Sequence, residues 1–308
     1  MSEPPAVIVD CDPGQDDAVA LVLAGRLTRL LGVTTVSGNV PLELTTRNAL
    51  LMTQVLELDV PVHAGADRPL ISEPSHAHAV HGETGLDGTE LPAVAREVGG
   101  AHAVEFLIET VRAEPGCWLV TTGPLTNVAL AFRQAPDLPE LLAGVSLMGG
   151  SVSGGNVTPT AEFNIWCDPE AAMVVFGSGT RLRMAGLDVT HQVRARADRV
   201  AAIRAVGTGA ATVVADLLDF YGGRYAERLG DDAGAPLHDP VAVVAVTRPE
   251  LLEFETYPVT ISRSGPTRGM TIVDRRPAGS DGATVEVAMR ADADAIFGLL
   301  TEVLSTYP

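Results

Sequence analysis

Asp10, Asp12, Asp16 and Asp17 fall within VDCDPGQDDAVAL, residues 9–21, where a short apolar run gives way to a helix-like pattern. Residues two apart in a strand share a face, so Asp10 and Asp12 converge at a strand end before Pro13 and Gly14 turn the chain. Asp16 and Asp17 then open a helix, and Gly25 is a natural stop for it. Free N–H groups and the positive dipole end favour a carboxylate at a helix start, which accounts for one of the four as a cap. It does not account for the set. Crowded carboxylates repel unless a cation sits among them, and an all-oxygen group without His or Cys selects a hard ion, Ca²⁺ or Mg²⁺.

The elements that must hold this corner alternate along the chain. Apolar or β-branched runs occur at 6–10, 30–36, 60–65, 117–122, 144–150 and 182–188, each the length of a buried parallel strand. Helical patterns lie between them at 16–27, 42–56, 101–113, 125–135 and 168–176. The alternation predicts an α/β fold with one open, mostly parallel, doubly wound sheet and helices on both faces. The last third differs: a helix near 210–229, the stretch HDPVAVVAV, strands near 254–261, 270–274 and 283–289, and a closing helix from 293. The late strands read as a small antiparallel addition, and no linker or repeat divides residues 1–308, so one domain is expected. Residues 68–100 lack regular pattern and predict a long surface loop. In such open sheets ligands bind beyond the carboxyl ends of the strands, where the acidic corner falls.

Composition narrows the function. The 308 residues carry a formal net charge of −18, with no basic run, which argues against nucleic acid as a partner. All 21 basic residues are arginine, so chemistry that needs a lysine amine is excluded. That also counts against a haloacid-dehalogenase-type phosphatase, which pairs its Asp-x-Asp strand end with a hydroxyl residue and a downstream lysine. An EF-hand register is broken by Pro13 and the apolar helix. Three cysteines without a CxxC spacing suggest neither a disulfide framework nor a zinc ribbon. MSEPPAVIVD does not resemble a signal peptide, and no apolar run approaches the roughly 18 residues of a membrane span. A cytoplasmic protein with no membrane partner is expected.

DCDPGQDDAVAL resembles the N-terminal signature of the inosine-uridine-preferring nucleoside hydrolases. The likeness continues in family order through VTTVSGN (33–39), HGETGLDG (81–88), TTGPLTNVALA (121–131), SLMGG (146–150), GNVTPTAEFNIWCDPEAA (155–172), GLDVTHQ (186–192) and HDPVAV (238–243). The resemblance implies an open α/β fold with one Ca²⁺ per chain, hydrolysis of ribonucleosides to ribose and free base, and a homodimer or homotetramer. It implies that Asp12, Asp17 and Asp239 bind the ion by carboxylate and Thr122 by its carbonyl, with Asp12 also taking a proton from the attacking water. It assigns the sugar to Asp16, Asn39, Asn156, Glu162 and Asn164, with Met148 lining it, and places Asp10 in support. A non-catalytic calcium-dependent nucleoside binder is the alternative.

At the base end, His238 and His81 match residues near the leaving group, and His238 is the candidate proton donor. Tyr221 and Tyr225 lie one helical turn apart and either touch the base or merely pack. His76 and His78 read as solvated loop residues rather than zinc ligands. Cys11 and Cys167 read as small buried hydrophobes, and Trp118 and Trp166 as core or pocket wall.

Overall fold

A computed structural model describes residues 3–230, 233–276 and 282–308; Met1 and Ser2 of the N-terminal stretch lie outside the described residues. Six strands form in the predicted places: β1 (Ala6–Cys11), β2 (Arg29–Thr35), β3 (Val62–Ala64), β4 (Trp118–Thr121), β5 (Gly144–Met148) and β6 (Leu182–Ala185). With three late strands they build a nine-stranded sheet. From one edge its order is Thr271–Val273, Leu252–Ile261, Ala283–Ala291, β6, β5, β4, β1, β2, β3. β1 to β6 and Ala283–Ala291 are mutually parallel. Leu252–Ile261 runs antiparallel to both of its neighbours, which is the expected C-terminal addition.

The sequence of β1 shows why this sheet is sandwiched. Its apolar residues alternate between two cores, Val7, Val9 and Cys11 on one face and Ile8 on the other. Helix α1 (Gln15–Leu27) packs on the first face with the helices Gly209–Leu229, Asp239–Thr247 and Ala293–Leu304. Ala103–Ala113, Thr126–Gln134 and Pro169–Phe176 cover the second. The chain runs β1, β2, β3 toward one edge and then returns to place β4 on the other side of β1. That reversal is a topological switch point, and it opens a crevice past the carboxyl ends of β1 and β4, where Asp12 and Thr122 sit.

Two apolar runs end earlier than their composition suggests. The strand expected over 144–150 stops at Met148, because Gly149 and Gly150 turn the chain, the latter at φ 74°. The strand expected over 182–188 stops at Ala185, and Leu187–Thr190 is a helical turn started by Gly186. HDPVAVVAV becomes the helix Asp239–Thr247, buried along nearly its whole length against α1, with Pro240 in its first turn. The long loop of residues 68–100 is irregular apart from the short helix His78–His81. The elements Phe163–Cys167, Ala197–Arg204 and the two-stranded ribbon Arg194–Ala195 with Ala235–Pro236 carry no period strong enough to read from sequence.

Candidate active site

The acidic corner folds into a fully buried nest. Asp17 caps the start of α1, its Oδ2 accepting the Gly14 N–H at 2.9 Å and the Asn39 amide at 3.2 Å. Its other oxygen accepts the Thr122 hydroxyl at 2.7 Å, tying α1 to the end of β4. Asp12 Oδ2 accepts the Asn39 backbone N–H at 2.7 Å, while Oδ1 is buried without a partner. The backbone comes so close here that a Cβ on Gly38 would overlap Oδ2, and one on Gly123 would lie 2.6 Å from Oδ1. Asp10 stands behind the nest, its Oδ1 held by the Thr34 hydroxyl at 2.6 Å and the Asn127 amide at 2.8 Å. Burial pushes its carboxyl up to about 6 despite those donors.

Asp239, on the first turn of its helix, completes the nest. One carboxylate oxygen each from Asp16, Asp17 and Asp239 lies within 4.8 Å of the others, and all three residues are buried. Desolvation, then the neighbouring aspartates, drives three of these groups toward the neutral form: Asp12 and Asp239 rise well above the carboxylate range and Asp16 rises to about 7, while Asp17 rises through burial against the pull of its own hydrogen bonds. Buried Asp12 Oδ1 and Asp16 Oδ1 have no hydrogen-bond partner. Buried carboxylate oxygens left without a partner beside a converging trio are what a hard divalent cation needs.

A cavity of about 260 Å³ opens above the nest. One wall comes from the Phe163–Cys167 helix, whose N-cap is Glu162: its carboxylate accepts the N–H groups of Gly150 and Asn164 at 2.9 Å and of Ile165 at 3.3 Å. Burial still raises it to about 7. Asn164 donates to the Thr122 and Met148 carbonyls at 2.8 and 3.1 Å. Asn156 accepts the Phe163 N–H at 3.0 Å.

The opposite wall is aromatic. Tyr221 and Tyr225 meet edge to face at 5.1 Å, and His81 stacks on Tyr221 at 5.4 Å. His238 is held at both nitrogens, Nδ1 by the Thr190 hydroxyl at 2.8 Å and Nε2 by the Tyr225 hydroxyl at 3.1 Å. Burial lowers His81 to about 3 and His238 well below its usual value, so both imidazoles are neutral. A carboxylate nest under one end of a cavity and neutral aromatic donors and acceptors at the other suit a sugar joined to a flat heterocycle.

Comparison with known proteins agrees with this chemistry. The family profile described as inosine-uridine preferring nucleoside hydrolase matches residues 7–298. The chain belongs to the nucleoside hydrolase family. Among curated relatives of this hydrolase, a pyrimidine-specific ribonucleoside hydrolase (RihA) of Salmonella typhimurium is 42% identical over 98% of both chains. RihB of Escherichia coli, also named pyrimidine-specific, is 39% identical over 98% of this chain and 97% of its own. A solved purine-preferring ribonucleoside hydrolase from Gardnerella vaginalis superposes with a TM-score of 0.91 at 32% identity, covering 97% of this chain and 98% of its own.

Most residues singled out from the hydrolase sequence meet in this one cavity: Asp16, Asn39, His81, Thr122, Met148, Asn156, Glu162, Asn164, Tyr221, Tyr225, His238 and Asp239 all line it. The carboxylate trio that converges is Asp16, Asp17 and Asp239, while one oxygen of Asp12 accepts the Asn39 N–H. The Thr122 carbonyl accepts from Asn164. His76 and His78 are half-buried loop residues, and each has its Nδ1 within hydrogen-bond reach of a backbone carbonyl, of Gly38 and Gly82 respectively. Among the described residues the only cluster suited to a metal is the aspartate trio. Cys11 and Cys167 are buried, and burial raises both thiols well above their usual range. Sequence reasoning missed Thr190, Phe163 and Arg224, which carry no local signal beyond their neighbours in the chain, and it passed over Gln15. No helix among the described residues is long and apolar enough to cross a membrane.

Proposed function

We propose that the chain hydrolyses the N-glycosidic bond of ribonucleosides to ribose and free base, with one Ca²⁺ held by Asp12, Asp17, Asp239 and the Thr122 carbonyl. The observation that carries this reading is the buried aspartate nest directly beneath a cavity whose far wall is Tyr221, Tyr225 and His238. When bound, the ion neutralises the nest and makes water a better nucleophile at neutral pH. Its fit rests on the hard oxygen donor set and the two orphaned carboxylate oxygens.

The chain's own groups then divide the work. Asn39 fixes one oxygen of Asp12, which leaves Oδ1 free to take the proton of the attacking water. Asp16, Asn39, Asn156, Glu162 and Asn164 surround the sugar with oxygen and amide groups, orienting it and stabilising the oxocarbenium charge that develops as the bond breaks. Tyr225, His238 and Thr190 form a hydrogen-bonded chain at the other end, able to pass a proton to the departing base. A pocket this acidic, whose lining Arg224 is paired with Glu227, disfavours a 5′-phosphate, so nucleosides rather than nucleotides are the substrates. Uridine and cytidine head the candidates, because the two curated relatives above are named pyrimidine-specific. A homodimer or homotetramer in the cytoplasm, one domain per chain, completes the reading.

A panel of uridine, cytidine, inosine, adenosine and guanosine, scored for ribose by a reducing-sugar assay, tests it. Turnover of one or more is expected. Binding of nucleosides in calcium without any ribose release would favour the non-catalytic alternative, against which the unengaged Asp12 Oδ1 argues.

A further inference from the structure

Gln15 is fully buried on the first turn of α1, next to the aspartate nest, yet its side chain reaches across to the loop of residues 68–100. Its amide nitrogen donates to two backbone carbonyls, His81 O at 3.1 Å and Asp87 O at 3.3 Å. Carbonyls only accept, so these two partners settle which end of the amide is nitrogen. The amide oxygen therefore faces His81 Nδ1, 2.8 Å away. That oxygen also only accepts, so Nδ1 must carry the ring's hydrogen. A neutral imidazole has one N–H, which leaves Nε2 as a bare lone pair. His81 lines the cavity, is stacked on Tyr221, and has no described hydrogen bond at Nε2. Gly14 permits the arrangement, since a Cβ there would overlap the imidazole ring.

We infer that Gln15 is a positioning residue that locks His81 in its Nδ1–H tautomer, making Nε2 a hydrogen-bond acceptor for an N–H or O–H of the bound ribonucleoside. The acceptor half of this inference rests on the ribonucleoside reading; the tautomer does not. In this form His81 cannot give a proton to the leaving base, so the donor at that end is the Tyr225–His238 chain. The donor hydrogen that His81 takes comes from the base edge or from the sugar, and nucleosides lacking it lose affinity in the transition state because a buried acceptor is left unpaired.

Nitrogen-15 NMR of the histidine rings in the whole protein, with His81 assigned by its loss in His81→Gln, reads the tautomer without substrate. Nδ1 in the protonated range and Nε2 in the unprotonated range are expected in wild type and in Gln15→Glu, which keeps an acceptor. Gln15→Met should lose the bias, and an Nε2–H tautomer in wild type overturns the inference outright. For the acceptor role, kcat/KM is compared for uridine, 3-methyluridine (no base N–H) and 5′-deoxyuridine (no 5′ hydroxyl). One analogue should lose about tenfold or more in wild type and in Gln15→Glu, and much less in Gln15→Met. Loss in neither analogue, or a loss unchanged by Gln15→Met, overturns it. Silence of every nucleoside with the Nδ1–H tautomer intact counts against the hydrolase reading, not against the lock.

Discussion

Removing calcium should make stability depend on pH in a direction opposite to ordinary acid denaturation. Asp16 is raised from 3.8 to about 7 by burial first and by Asp17 second. A group whose folded pKa exceeds its unfolded value contributes stability that is fully present below the unfolded pKa and lost as pH rises through the folded one. For Asp16 that window runs from about 4 to about 7, and three units at about 1.4 kcal/mol each give roughly 4 kcal/mol, an upper figure for one member of a coupled nest. A cation that binds only the folded chain offsets the loss, by about 2.7 kcal/mol at a hundredfold excess over its Kd. For a chain of this size that is a rise in Tm on the order of 5 °C. The assay is paired thermal melts at about pH 7.5 and about pH 5, each with a chelator and with calcium. The calcium increment should be large at the higher pH and shrink at the lower, where protons already occupy the nest. Equal increments at both pH values, or none at either, would refute the nest as a cation site. Comparing increments removes the background titration of the other carboxylates.

Three substitutions separate the roles. Asp12→Asn should lower kcat by about 10²–10⁴-fold while uridine still binds, as steady-state and inhibition kinetics will show; near-normal kcat would remove Asp12 as the base. Asp239→Ala should abolish the calcium-dependent rise in Tm at neutral pH, and a retained rise would place the ion elsewhere. His238→Ala should slow cleavage by a factor that changes with the base, read across the five-nucleoside panel, whereas one uniform factor would mean the histidine does not serve the leaving group.

Much of the fold was legible because burial on both faces of a parallel sheet writes itself as short apolar runs. AVIVDC reads as a strand for the same reason that Val9 and Ile8 pack into opposite cores. Element ends were less legible where glycine overrode apolar character: Gly150 turns the chain at φ 74°, and at Gly186 a Cβ would lie 2.8 Å from the Gly150 carbonyl, neither of which a hydrophobic pattern shows. The helix Asp239–Thr247 is apolar all round, so period could not type it. For the site, the aspartates announced themselves by charge crowded at a strand end. Which oxygens converge was not legible: Asp16 joins Asp17 and Asp239, while Asp12 accepts the Asn39 N–H between the closely approaching backbones of Gly38 and Gly123. Thr190 and Gln15 act through histidines far along the chain, and only the folded contacts reveal them.

The most direct test of the central claim is uridine or cytidine cleavage by the purified chain, followed as ribose release through one cycle of chelation and calcium add-back. Turnover in calcium, loss to background with the chelator, and recovery on add-back are expected. Turnover indifferent to the chelator, or no ribose from any ribonucleoside with calcium bound, would contradict that claim.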